Sequence, residues 1–177
     1  AIEAKKATIA AAKMEGPVYI RLAREKTPVI TTELSPFEIG KAQIFFGAKE
    51  GTGHKIGIIA SGALVYQALK VAQDLEEEGI SVSVMNLATI KPMDEEAVVT
   101  LAKNMGKILT VEEHQVAGGM GSAVAEVLAR RNPVPMEFIG VEDKFGQSGT
   151  PDELLGHYGM GVNTIIARAK KLIGRAQ

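Results

Sequence analysis

KIGIIASGALVYQALKVAQDLEEEGISVSVMNL, residues 55–87, decides the fold. Its first eight residues, apolar from Ile56 to Ala60 and running to Gly62, read as a buried strand. The next segment places Leu64, Val65, Ala68, Leu69, Ala72 and Leu75 at the spacing of one helix face. Glu76, Glu77 and Glu78 form a solvated end and Gly79 stops the helix. ISVSVMNL then alternates as a second strand. Strand, helix and strand within one short stretch point to a parallel sheet covered by helices.

The pattern continues outward on both sides. AQIFFGA (42–48) is a strand, and EGTGH (50–54) is a turn. Pro92 and Asp94 open a helix, with Asp94 as its cap and Glu95 and Glu96 at the positive end of its dipole. KILTVEE (107–113) is a strand, GGMGSAVAEVLARR (118–131) a helix and VPMEFIGV (134–141) a strand. Thr150-Pro151-Asp152-Glu153 is a capping box with proline at the first helical position, and VNTIIARAKKLIG (162–174) is the last helix. The expected fold is α/β in three α/β/α layers around a largely parallel sheet.

Residues 1–34 read as a separate piece. AIEAKKATIAAAKMEG is an alanine-rich helix halted by Gly16-Pro17, and PVYIRLAR (17–24) reads as a strand. From residue 25 to 40 the chain carries prolines and hydroxyl residues without a period, as linkers do. The strand at 18–22 has no sheet of its own here, so it is expected to pack on a neighbouring molecule or to fray.

Composition removes several classes of function. With 46% hydrophobic residues the chain can bury a sizeable core, and at 5% aromatics that core is aliphatic. A formal net charge of -1 gives no footprint for nucleic acid or an anionic membrane. The absence of cysteine excludes disulfides, thiolate metal sites and cysteine nucleophiles, and fits a cytoplasmic location. The longest apolar stretch, residues 56–66, is short of the ~20 residues that a bilayer requires. No signal-peptide pattern appears, and a first residue of Ala1 suggests a fragment or a processed chain.

The chemically richest stretch is VEEHQVAGGMGSAVAEVLA (111–129). Glu112 and Glu113 are neighbours at a strand end, so their side chains point to opposite faces and do not readily share a proton or a metal. His114 has no histidine at ligand spacing, since His54 and His157 lie far along the chain. Gly118-Gly119-Met120-Gly121 could turn backbone amides toward an anion. The spacing is neither the dinucleotide fingerprint nor a P-loop, and the adjacent glutamates would repel phosphate. The other readings are a sharp turn with close helix–sheet packing, or a contact surface for another subunit. Ser61-Gly62 lacks a nucleophile elbow, and Ser122 and Ser148 have no obvious base. No catalytic residue and no metal ligand is assigned. Arg21 and Arg24 end PVYIRLAR, and a strand's carboxyl end is where α/β folds place ligand contacts, although arginines beside a linker are usually solvated.

GPVYIRLAREKTPV, NLATIKPMDEEAV, KILTVEEHQVAGGMGSAVAEVL and FGQSGTPDELLGHYGM occur in this order. As a set they resemble the transketolases. TIKPMD resembles that family's T-I-K-P-L-D segment, VEEHQVAGGMGSAV its V-E-D/E-H…G-G-x-G-x-A-V segment, and SGTPDELL its S-G-x-P-x-E-L-L segment. The resemblance runs from about Gly16 to the end. Deoxyxylulose phosphate synthase and the beta subunit of 2-oxoacid dehydrogenases share the domain, but SGTPDELL with TIKP favours transketolase.

The resemblance implies a transketolase C-terminal domain over residues 42–177, a linker at 35–41, and the end of a pyrimidine-binding domain at 1–34. It implies a mixed sheet of the five strands noted above, mostly parallel with the first antiparallel. The complete enzyme would move a two-carbon ketol unit between ketose and aldose phosphates, as a homodimer using thiamine diphosphate and magnesium. The family's Gly-Asp-Gly metal motif, activating glutamate and catalytic histidines have no counterpart here, so this chain alone is expected to bind no cofactor and to be inactive. By the same resemblance Arg24 corresponds to an arginine that contacts the substrate phosphate. The alternative is a non-catalytic dimerising or regulatory module.

Overall fold

The computed structural model describes residues 1–24, 26–49 and 53–174. In chain order the elements are α1 (Ile2–Ala11), β1 (Gln43–Phe46), β2 (Lys55–Ala60), α2 (Leu64–Glu77), β3 (Ser81–Asn86), α3 (Glu95–Met105), β4 (Ile108–Gln115), α4 (Met120–Arg131), β5 (Met136–Val141), α5 (Pro151–His157) and α6 (Val162–Ile173). The turn expected at 50–54 falls partly on residues 50–52, which lie outside the described residues, as does Glu25 of the linker.

The sheet has the order β1-β3-β2-β4-β5. β1 runs antiparallel to β3, and the other pairings are parallel. This is the mixed, mostly parallel sheet expected, with the antiparallel strand at one edge. The alternation of a strand's side chains explains the layers. Ile56, Ile58 and Ala60 of β2, with Val82 and Val84 of β3, pack beneath α2 and α6. Ile59 of β2 and Met85 of β3 face the opposite way, into a second core made by α3 and α4. A central strand covered on both faces needs apolar residues at successive positions, which is why β2 reads as an unbroken run.

Local chemistry sets the helix starts. Asp94 caps α3 by accepting the Ala97 N–H at 3.1 Å, and its second oxygen accepts the Ala42 N–H at 3.1 Å. One carboxylate thus starts α3 and pins the chain just before the edge strand. Glu95 pairs with Arg131 of α4 at 3.4 Å, and Glu96 pairs with the same guanidinium, so these acids join two helices besides facing a dipole.

At α5 the Glu153 carboxylate accepts the Thr150 N–H at 2.9 Å and the Thr150 hydroxyl at 2.7 Å. These two bonds, the backbone one first, hold the Glu153 carboxyl below the usual glutamate range. A depressed folded pKa contributes stability above the unfolded value of about 4.3, and that contribution is lost as pH falls through the folded value. The first turn of α5 is therefore expected to persist at neutral pH and loosen only in acid. A carbon NMR titration of Glu153 should give a midpoint below that of a glutamate in an unstructured peptide, and a midpoint at or above that reference would show that the box does not form in solution.

The N-terminal residues depart from expectation. The helix stops at Ala11 and buries no residue. Residues 17–24 form no strand. Tyr19 is 86% exposed and Leu22 61%, so the β-branched and aromatic character of PVYIRLAR leads to no ladder. The reason is tertiary: strand propensity expresses packing against a neighbouring strand, and this segment has none among the described residues.

The segment is nevertheless anchored. The Asn86 side-chain amide, at the carboxyl end of β3, donates to Glu3 Oε1 at 2.5 Å. Lys6 Nζ donates to the carbonyls of Thr32 and Glu33, both at 2.9 Å, and also to that of Ser35. An ammonium with three donors suits a cluster of carbonyls, and it ties α1 to residues 32–35.

Candidate functional site at the carboxyl edge of the sheet

β2 is followed by β3 on one side, while β4 lies on the other, so the strand order reverses between β2 and β4. Open α/β sheets place ligands outside the carboxyl ends of the strands at such a point. Glu112, Glu113 and the glycine loop stand at the carboxyl end of β4.

Glu112 turns inward and is 3% exposed, whereas Glu113 faces solvent. The opposite orientation expected of neighbours on a strand is found. The Glu112 carboxylate lies at the start of α4, where Oε2 accepts the Met120 N–H at 2.6 Å and Oε1 the Gly121 N–H at 2.7 Å. α4 has no side-chain cap from its own N-cap residue, Gly119. A carboxylate from eight residues upstream therefore satisfies two amides of the first turn and sits at the positive end of the helix dipole.

The anion seat exists, and the chain's own glutamate fills it. The Met120 and Gly121 N–H groups that an external anion would need are already taken by Glu112. The glycines make room for it. A Cβ on Gly119 would come within 2.3 Å of both the Gln115 carbonyl and Glu112 Oε2. One on Gly121 would come within 2.5 Å of Thr110 Oγ1 and 2.8 Å of the Phe138 ring. Gly118, at φ 77°, makes the turn itself. Ser122 braces the loop, its hydroxyl donating to the Val116 carbonyl at 2.7 Å and accepting the Gly118 N–H at 3.0 Å. That places Ser122 in the turn and not in a nucleophile's role.

Arg24 is exposed. It follows three residues after Arg21, whose guanidinium donates to the Glu113 carbonyl at 2.6 Å. Sequence reasoning put both arginines at a strand's end. The structure puts them on an irregular arm whose anchor is the carboxyl end of β4, a contact that sequence separation conceals. The Glu112 cap was missed for the same reason. Its signal was a helix beginning at Gly-Met-Gly without a capping side chain, with an unexplained glutamate just upstream.

A hollow of about 190 Å³ beside β5 gathers Lys144, His157, Thr164 and Arg168. Arg168 within it is already engaged by Glu137 at 2.6 Å and Glu142 at 3.2 Å. Among the described residues, no group of three or more His, Asp or Glu side chains is placed to hold a metal ion.

The fold and this edge define a three-layer α/β domain whose helix-start anion seat is filled from within. The chain belongs to the transketolase C-terminal domain family: residues 47–165 match the model described as "Transketolase, C-terminal domain". It is 39% identical over 161 residues to the 6-deoxy-6-sulfo-D-fructose transketolase subunit of Clostridium sp., covering 91% of this chain and 48% of that protein. A putative transketolase C-terminal section of Methanocaldococcus jannaschii is 41% identical over 160 residues, covering 89% and 48%. A solved structure titled "Split gene transketolase, inactive beta4 tetramer" superposes with a TM-score of 0.86 at 41% identity, covering 92% of this chain and 52% of that one. The chain thus spans about half the length of each of these three proteins.

Proposed function

We propose that this chain supplies the carboxyl-terminal part of a transketolase-type transferase, moving a two-carbon ketol unit from a ketose phosphate to an aldose phosphate. The observation that carries this reading is the family match over residues 47–165, extended by 41% identity to a split-gene transketolase across nearly the whole chain. The complete enzyme is a dimer or higher assembly of the cytoplasm in which a thiamine-binding half joins this one.

Thiamine diphosphate with magnesium supplies carbanion chemistry to such an enzyme. The described residues do not fit that group. The glycine-rich start of α4, read from the sequence as a possible anion cradle, already holds Glu112, and among the described residues no group of three or more His, Asp or Glu side chains is placed to hold the metal. Cofactor binding is therefore assigned to the other half. This chain contributes Arg24, which contacts the substrate phosphate in the assembled enzyme. A guanidinium suits that role because its planar fork matches phosphate oxygens and keeps its charge at neutral pH.

The test is assembly. The chain alone is expected to show no saturable micromolar binding of thiamine diphosphate with magnesium in calorimetry, and no ketol transfer. Both should appear once it is combined with a thiamine-binding half. A micromolar isotherm from the chain alone would overturn the assignment. Persistent inactivity of a well-formed complex would instead favour the non-catalytic association module, a reading supported by the exposed apolar residues of the N-terminal arm.

A further inference from the structure

The arm that carries Arg24 touches the sheet through a specific contact. β2 pairs with β4 only as far as Ala60↔Val111, and the β4–β5 ladder shifts register between Val111 and Gln115. Glu113 lies beyond the last β2–β4 pair and within that shift of the β4–β5 register, where its carbonyl accepts from the arm. Arg21 supplies the donor, a guanidinium N–H at 2.6 Å. The acceptor is held in place from its neighbour, because Glu112 is fixed by the two N–H bonds from the start of α4. A charged donor on a rigid carbonyl makes a directional bond. From it, three residues of chain lead to Arg24.

We propose that Arg21 is a positioning residue for Arg24. The α4-capped end of β4 holds the arm through Arg21, so the C-terminal domain sets where the phosphate-binding guanidinium stands. This rests on the phosphate role proposed for Arg24. It turns the irregularity at Glu112–His114 into a bracket for substrate recognition, since irregular strand ends re-aim backbone groups that a regular ladder would consume.

Two measurements separate the bracket from the phosphate role. The chain has no cysteine, so spin labels at Tyr19→Cys and Asn104→Cys, both exposed positions, report the distance from arm to domain without interference. A narrow distribution is expected in the parent, a broad one after Arg21→Met, and a narrowed one in Arg21→Lys, which keeps a donor. In the assembled enzyme, Arg21→Met should lower kcat/KM for a phosphorylated donor by roughly 5- to 20-fold, since a misplacement of about 1 Å can reach 100-fold. Hydroxypyruvate, which has no phosphate, should be unaffected, and Arg21→Met should add no further loss in an Arg24→Ala background. A distance distribution unchanged by Arg21→Met overturns the bracket whatever Arg24 does. Losses that persist in the Arg24→Ala background overturn the claim that Arg21 acts through Arg24. If Arg24→Ala fails to distinguish the two donors, the phosphate role falls and the positioning role falls with it, while the distances still report the anchor.

Discussion

Replacing Arg24 by alanine in the assembled enzyme is expected to reduce kcat/KM for phosphorylated sugars by roughly 10- to 100-fold. The magnitude follows from one lost contact: a hydrogen bond involving a charged group contributes roughly 1.5–3 kcal/mol, and each ~1.4 kcal/mol is tenfold. A non-phosphorylated donor such as hydroxypyruvate never reaches the guanidinium, so its turnover should stay nearly constant. Arg24 is exposed, and its truncation removes no core packing. Damage to the fold would slow both donors alike. Steady-state kinetics with the two donor types therefore distinguish recognition from instability, and equal losses, or none, would show that Arg24 does not bind the phosphate.

The largest effect on stability is expected at Glu112. Its carboxylate accepts two buried N–H groups at 2.6 and 2.7 Å, and both would be orphaned in Glu112→Ala. Two charge-assisted bonds at roughly 1.5–3 kcal/mol each, partly offset by water entering the space, give a loss of about 3–4 kcal/mol. For a domain whose total stability is on the order of 5–15 kcal/mol, that is a large fraction. Urea denaturation should show a lower midpoint at unchanged slope. Formate or acetate should restore part of the loss, because a small carboxylate can re-enter a seat built from helix-start amides. Rescue by these anions separates the electrostatic seat from simple packing. A midpoint equal to that of the parent would show that the cap contributes nothing.

Both predictions concern residues whose meaning lay at different depths. The periodicity of residues 55–87 was enough to establish a buried strand, an amphipathic helix and a second strand, and all three are present. Asp94 and the Thr150–Glu153 pair could be read as helix starts because a cap and its amides lie within three residues of each other. The resemblance to transketolases was also legible, since it rests on the order of short segments along one chain. Sequence thus determined most of what depends on partners close along the backbone: the element types from residue 42 onward, most of their ends, the aliphatic core and the absence of cysteine chemistry.

Tertiary structure decided the rest. It placed β2 between β3 and β4, which no local pattern encodes. It withheld a ladder from residues 17–24, whose composition asked for one, because a strand exists only beside another strand. It set the Glu3 carboxylate on Asn86, the Arg21 guanidinium on the Glu113 carbonyl, and the Glu112 carboxylate on the amides of α4. Each of these joins groups brought together by the packing of whole elements. A buried charge must find its partners wherever the fold puts them. For Glu112 that place was the glycine loop, and only the folded chain could show that its anion was already there.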